Sequence, residues 1–142
     1  MKDLHHNLKT VQTLDPAVTT GARSGAPVDR QGFEAVEHIV LFGASGDTLS
    51  SALKLEAKLE ASENGTDWSA VTDAKAVNGA VSASGVFATV DAAAKAQKEY
   101  RVGYAGNARY SRVTLALTGT HTNGTPVSAL AVLARAHVKP VV

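Results

Sequence analysis

The chain has 142 residues, 44% of them hydrophobic, 19% charged and 5% aromatic, with no cysteine and a formal net charge of +1. That length suits one domain, and the composition is that of an ordinary globular protein whose alanine- and valine-rich core buries little area per residue. The charge balance excludes the concentrated basic excess of a phosphate-gripping domain, and the lack of cysteine excludes disulfides and thiolate metal sites.

The opening "MKDLHHNLKTVQ" has no apolar run of the kind a signal peptide needs. No stretch approaches the roughly 18 consecutive apolar residues of a membrane helix. Neither nucleic acid nor a membrane is therefore an expected partner, and the chain is expected to stay where it is made or to leave by a route other than secretion.

Residues 1–32 show no sustained period of 2 or 3.6. Pro16 and Pro27 fix φ while Gly21, Gly25 and Gly32 loosen the backbone, so the expectation is an extended N-terminal arm. Its scattered apolar residues, Leu8, Val11, Leu14, Val18 and Val28, are candidates for docking on a partner.

Residues 33–136 read as a β-domain. "EAVEHIVLFG" is rich in β-branched residues and ends at the turn "GASGD". The next stretch, "SALKLEAKLEASENG", sets composition against pattern. Ala, Leu, Lys and Glu are strong helix formers. Yet Leu53, Leu55, Ala57, Leu59 and Ala61 alternate with Lys54, Glu56, Lys58 and Glu60, which puts the apolar set on one face only if the chain is a strand. Periodicity decides for a half-buried strand with a solvated, charged outer face.

Asn64-Gly65 marks a turn. "GVFATV" is a short strand, and "DAAAKAQKE" is a helical turn or two, or a loop. "YRVGYAG" and "RYSRVTLALTG" are strands around a turn at residues 105–108. "THTNGTP" turns again before a last strand, "VSALAVLAR". Six to eight short strands separated by turn signals predict an all-β fold, an antiparallel sandwich or barrel. Residues 137–142, "HVKPVV", are expected to form a shorter C-terminal arm with Val138 and Pro140 as contact candidates.

No catalytic set emerges, and no cofactor or metal is expected. Of the five histidines, only His5 and His6 are close, and neighbours on an extended chain point to opposite faces. His38 falls in a strand, where a hydrogen-bonded structural role is expected. "GASGD" lacks the Lys-Ser/Thr of a phosphate loop and has Asp47 where a nucleophile elbow needs glycine. Asn64-Gly-Thr and Asn123-Gly-Thr match the glycosylation sequon but read as turns.

The remaining concentration of chemistry is "RVGYAGNARYSRVTLALTG". Tyr100, Val102 and Tyr104 share a strand face, and Arg109 and Arg112 flank Tyr110. Tyr and Arg are enriched where proteins bind proteins, which makes Tyr104, Arg109, Tyr110 and Arg112 interaction candidates. The alternative is that the tyrosines cap the core while the arginines pair with Glu34, Glu37 or Glu99.

Over residues 28–142 the chain resembles small structural proteins of tailed bacteriophages. The resemblance rests on Asp29, Gly32 and Phe33 before the first strand of the β-domain. It continues through Ser62, Gly65, Trp68 and Val71, the Tyr-Arg segment from Arg101 to Arg112, and the Pro140-Val141 ending. It implies a virion component made in the host bacterial cytoplasm, a decoration (cement) protein on the capsid surface. Its partners would be the major capsid protein and copies of itself, trimers being a common arrangement. A tail or head–tail connector protein is the structural alternative. A carbohydrate-binding β-sandwich, stacking sugars on Trp68 and the tyrosines, is the alternative of another class.

Overall fold

A computed structural model describes residues 2–141. They form two antiparallel sheets packed face to face, an all-β sandwich. Eleven strands are present among the described residues: β1 (Leu8–Thr19), β2 (Arg23–Ser24), β3 (Val28–Asp29), β4 (Phe33–Phe42), β5 (Lys54–Ser62), β6 (Ser69–Ala70), β7 (Val77–Asn78), β8 (Val86–Val90), β9 (Lys98–Tyr104), β10 (Tyr110–Thr118) and β11 (Thr125–Ala136). Seven of these have five residues or more, in keeping with the six to eight expected. "DAAAKAQKE" holds a single 3-10 turn, Ala93–Lys95.

Sheet A runs β1-β11-β4-β9-β7, and sheet B runs β2-β10-β5-β6, with β3 also on β10 and β8 on β5. The core lies between them. Alternate residues of each strand point inward, as the pleat dictates: Val36, His38, Val40 and Phe42 of β4, Leu55, Ala57 and Leu59 of β5, and Val113 and Leu115 of β10 are all buried. The helix-forming composition of β5 loses to this pattern because only an extended chain buries Leu55, Ala57 and Leu59 together.

The expected N-terminal arm is corrected. Residues 8–19 are the edge strand of sheet A, paired antiparallel with β11 from Leu8↔Ala134 to Thr19↔Thr125. Residues 23–24 and 28–29 pair with β10 in sheet B. The segment crosses from one sheet to the other and stitches them at that edge: Ala26 N–H donates to the Thr13 carbonyl at 2.8 Å, and Gly25 N–H to the Val113 carbonyl at 2.8 Å. The alternation that would have announced β1 is broken by register shifts between Gln12 and Leu14 and between Leu14 and Ala17. Such bulges re-aim side chains, and Pro16 lies within the second.

The tail after β11 is also held by its own chain rather than free. His137 N–H donates to Gly32 O at 2.9 Å, and Val141 N–H to His6 O at 3.0 Å. Val142 lies outside the described residues.

Candidate protein-interaction surface

The two sheets present opposite kinds of outer face. On sheet B, Lys54, Glu56, Lys58 and Glu60 of β5 stand outward beside Arg112, Thr114, Ala116 and Thr118 of β10. Lys54 binds Glu56 at 3.0 Å, and Arg112 binds Glu60 at 2.7 Å. Opposite charges in register on a pleated face are a solvated surface.

On sheet A the outward positions of β11 and β4 are largely apolar, with Glu37 and Ser128 among them and Thr10 and Gln12 beside them on β1. Leu130, Val132 and Ala134 of β11 lie in register beside Ile39, Glu37 and Ala35 of β4, with Leu41 next to Ser128. These side chains are half-buried by their neighbours in the sheet, and Leu41 is 41% exposed. Along the β1 edge the patch continues to Pro126, which is exposed, and Val18, 60% exposed. An open groove of about 520 Å³ runs there, lined by Pro16, Ala17, Val18, Leu41, Phe42 and Pro126 among others. Its wall depends on the Asn123-Gly124 turn. Gly124 has φ +76°, and a Cβ on it would stand 2.8 Å from the Thr19 carbonyl oxygen, so a side chain there would push β1 away.

The charges of this face lie on β9 and, at Glu37, on β4. Arg101 sits in register with Ile39, and Glu99 with Leu41. Arg101 lies 3.8 Å from Glu37 and is itself 75% exposed, a weak pair. Partial burial raises the pKa of the Glu37 carboxyl, an effect that Arg101 opposes. An apolar centre with a charged margin is the anatomy of a protein–protein contact.

The candidates named from the sequence scatter over the molecule. Leu14, Val28 and Tyr104 are buried, at 5%, 2% and 5% exposure, and belong to the core. Tyr104 accepts the Ala108 N–H on its hydroxyl at 3.1 Å, with the Arg30 guanidinium 5.4 Å from its ring centre, so it closes the 105–108 turn instead of meeting a partner. Val11 packs half-buried against Val28, Val36, Ala131 and Leu133. Leu8 stands on the outer face of sheet A opposite Ala134, and Val18 on its exposed edge. Val138, 79% exposed, and Pro140 are on the surface near the chain ends.

Arg109, Tyr110 and Arg112 do stand together, on the other sheet. Arg109 grips Asp29 with two hydrogen bonds, 3.0 Å from Nε and 2.6 Å from an Nη, and its guanidinium lies 5.0 Å from the Tyr110 ring. That grip holds the Asp29 carboxyl below its ordinary pKa. Arg112 stacks 4.2 Å from the Trp68 ring centre while bonded to Glu60. The arginines are thus paired, but with Asp29 and Glu60, not with the Glu34, Glu37 or Glu99 considered from sequence. Their forks are occupied inside the chain, pinning β3 and the Trp68 loop to β10.

What sequence reasoning missed is the outer face of sheet A. The signal was present: "IVLF" and "ALAVLA" are continuous apolar runs, and a strand that alternates on neither face is one covered on both. His38 has the structural role expected. It is fully buried, shares a hydrogen bond with the Ser111 hydroxyl at 2.8 Å, and its pKa is pushed by burial down to about 4. Among the described residues no three or more His, Asp or Glu side chains gather as metal ligands.

No family model and no curated protein matches the chain. Similar solved structures include the SPBc2 prophage-derived protein YomS, at 16% identity and TM-score 0.44, with 89% of this chain and 93% of that one covered. A second is the CBM22-1–GH10 portion of Clostridium thermocellum xylanase 10B complexed with xylohexaose, at 11% identity and TM-score 0.42, covering 95% of this chain and 28% of that one. A third, from the structure of infectious bursal disease virus Gx strain, has 14% identity and TM-score 0.40, covering 94% of this chain and 33% of that one. The chain spans a third or less of the last two.

Proposed function

We propose that this chain is a structural component of a tailed-phage particle, a decoration protein that binds the outside of the major capsid protein shell and stabilises it by protein–protein contact. The observation that supports a role in adhesion is the outer face of sheet A, where Leu130, Val132 and Ala134 of β11 lie on one side with Ile39, Leu41 and Ala35 of β4. Burying apolar area is worth about 25 cal/mol per Å², so a protein gains by covering such a face. A polypeptide that worked alone in water would alternate there, as sheet B does. The resemblance of residues 28–142 to phage structural proteins supplies the kind of assembly.

The near-neutral charge suits the outside of a shell better than its DNA-facing interior. Many copies on one shell would multiply weak single contacts. The carbohydrate-binding alternative gains no support: Arg112 covers a face of Trp68, Tyr104 is buried, and Tyr100 packs edge-on against Phe42 with its hydroxyl bonded to Lys95 O.

Mass spectrometry of separated heads and tails tests the proposal. The chain is expected with the heads, at many copies. Recovery with tails alone would replace the decoration role by a tail or connector role, and absence from both would end the virion reading.

A further inference from the structure

We propose that the outer face of sheet A is covered by a second copy of this chain, packed sheet on sheet about a two-fold axis that crosses the strands at the level of Val40 and Tyr100. This rests on the adhesive role inferred for that face and names its occupant, while its test needs no phage particle.

Two features select a second copy. The first is charge. On β9, Arg101 and Glu99 are the outward residues on either side of Tyr100, and both are exposed. A two-fold axis at that level sets Arg101 of one copy opposite Glu99 of the other, twice over, as an isologous contact requires. The same operation sets Ile39 against Leu41, Leu130 against Ser128, and Val132 against Pro126, while Glu37 of β4 falls at the level of Gly43, 3.8 Å from its own Arg101.

The second is area. Four strands spaced about 4.8 Å and about ten residues long at about 3.4 Å each present about 600 Å² in plan, or about 1,200 Å² over two copies. A specific interface needs about 1,000 Å² in total. Face-to-face packing also leaves sheet B, with its Lys and Glu rows, in water.

Sedimentation velocity on the purified full chain tests this at concentrations up to about 100 µM, a range that detects contacts worth about 5–6 kcal/mol or more. The wild type is expected as a dimer. Leu130→Glu is expected as a monomer with an unchanged far-ultraviolet circular dichroism spectrum. Glu99→Arg, which places Arg opposite Arg, is expected to weaken association by about tenfold or more, and adding Arg101→Glu to recover most of that loss. Glu99 is exposed, so this pair of variants keeps the test sharp even if Leu130→Glu fails to fold. Lys58→Glu, on sheet B, is expected to leave association unchanged. A monomeric wild type, a trimer, or a dimer indifferent to both Leu130→Glu and Glu99→Arg would overturn the proposal and leave the virion reading standing.

Discussion

His38 is enclosed between the sheets with the Ser111 hydroxyl as hydrogen-bond partner of one ring nitrogen and none for the other. An imidazolium there would lose its hydration without gaining a counter-charge, which is why burial pushes its pKa from the usual 6.5 to about 4. The unfolded chain therefore binds a proton that the folded chain refuses. The full contribution of this residue is present above pH 6.5 and is lost as pH falls towards 4, about 3 kcal/mol in all. Denaturant unfolding at pH 7 and at pH 4.5 is expected to show this loss. His38→Gln is expected to be less stable at pH 7 but to lose about one proton's worth of the slope between those values.

The two arginines make a second comparison. Arg109 meets Asp29 at the surface, and an exposed pair contributes about 0–1 kcal/mol. Arg112 is more enclosed, sits over Trp68 and holds Glu60. Arg112→Ala is expected to cost about 1–2 kcal/mol and Arg109→Ala less, read as shifts in denaturation midpoint. Pairing choices of this kind were not legible beforehand. Asp29 is 80 residues from Arg109 in sequence and Glu60 is 52 from Arg112, and neither strand register could be fixed without the fold.

Among the elements, β1 separates what the sequence disclosed from what it did not. β5 and β10 alternate cleanly, and for β5 the sequence alone places Leu55, Ala57 and Leu59 on one face. β1 carries two bulges and a proline, so its apolar residues fall out of phase and resemble a loop. Only the partner strand β11 makes it a strand. The consequence is testable. Deleting residues 2–20 removes Leu14 from the core and strips β11 of its neighbour, and the truncated chain is expected to aggregate or fail to fold rather than merely lose a tail. Leu14→Ala alone is expected to cost about 2–5 kcal/mol. Hydrogen exchange supplies the complementary view: amides of β1 bonded to β11 should be protected in the isolated protein, where a free arm would exchange at once.

β4 and β11 are strands, as their sequences predict, yet their apolar runs carry a second message. A half-buried antiparallel strand should alternate, and these two do not. The excess apolar residues, Ile39, Leu41, Leu130 and Val132, are what make one side of the protein different from the other.

For the molecule as a whole, that difference organises the proposed function. Sheet B turns a ruled pattern of Lys, Glu, Arg and Thr to water, with the Arg109 and Arg112 pairs bracing its loops. Sheet A turns out a patch of Leu, Ile, Val and Pro, with Glu37 of β4 beside it and Arg101 and Glu99 on β9. Near the described ends, Val141 N–H bonds to the His6 carbonyl, and Leu4 and Val138 are exposed. On the proposed reading, such a body has one side fitted to a neighbour and one fitted to solvent.

Cryo-electron microscopy of an intact particle carrying this chain tests that orientation most directly. The map is expected to show the sandwich on the outside of the shell, with Leu130, Val132 and Ile39 covered by protein and the Lys54–Glu60 row in solvent. A map in which sheet A faces water while sheet B makes the contacts, or one without the chain, would refute it.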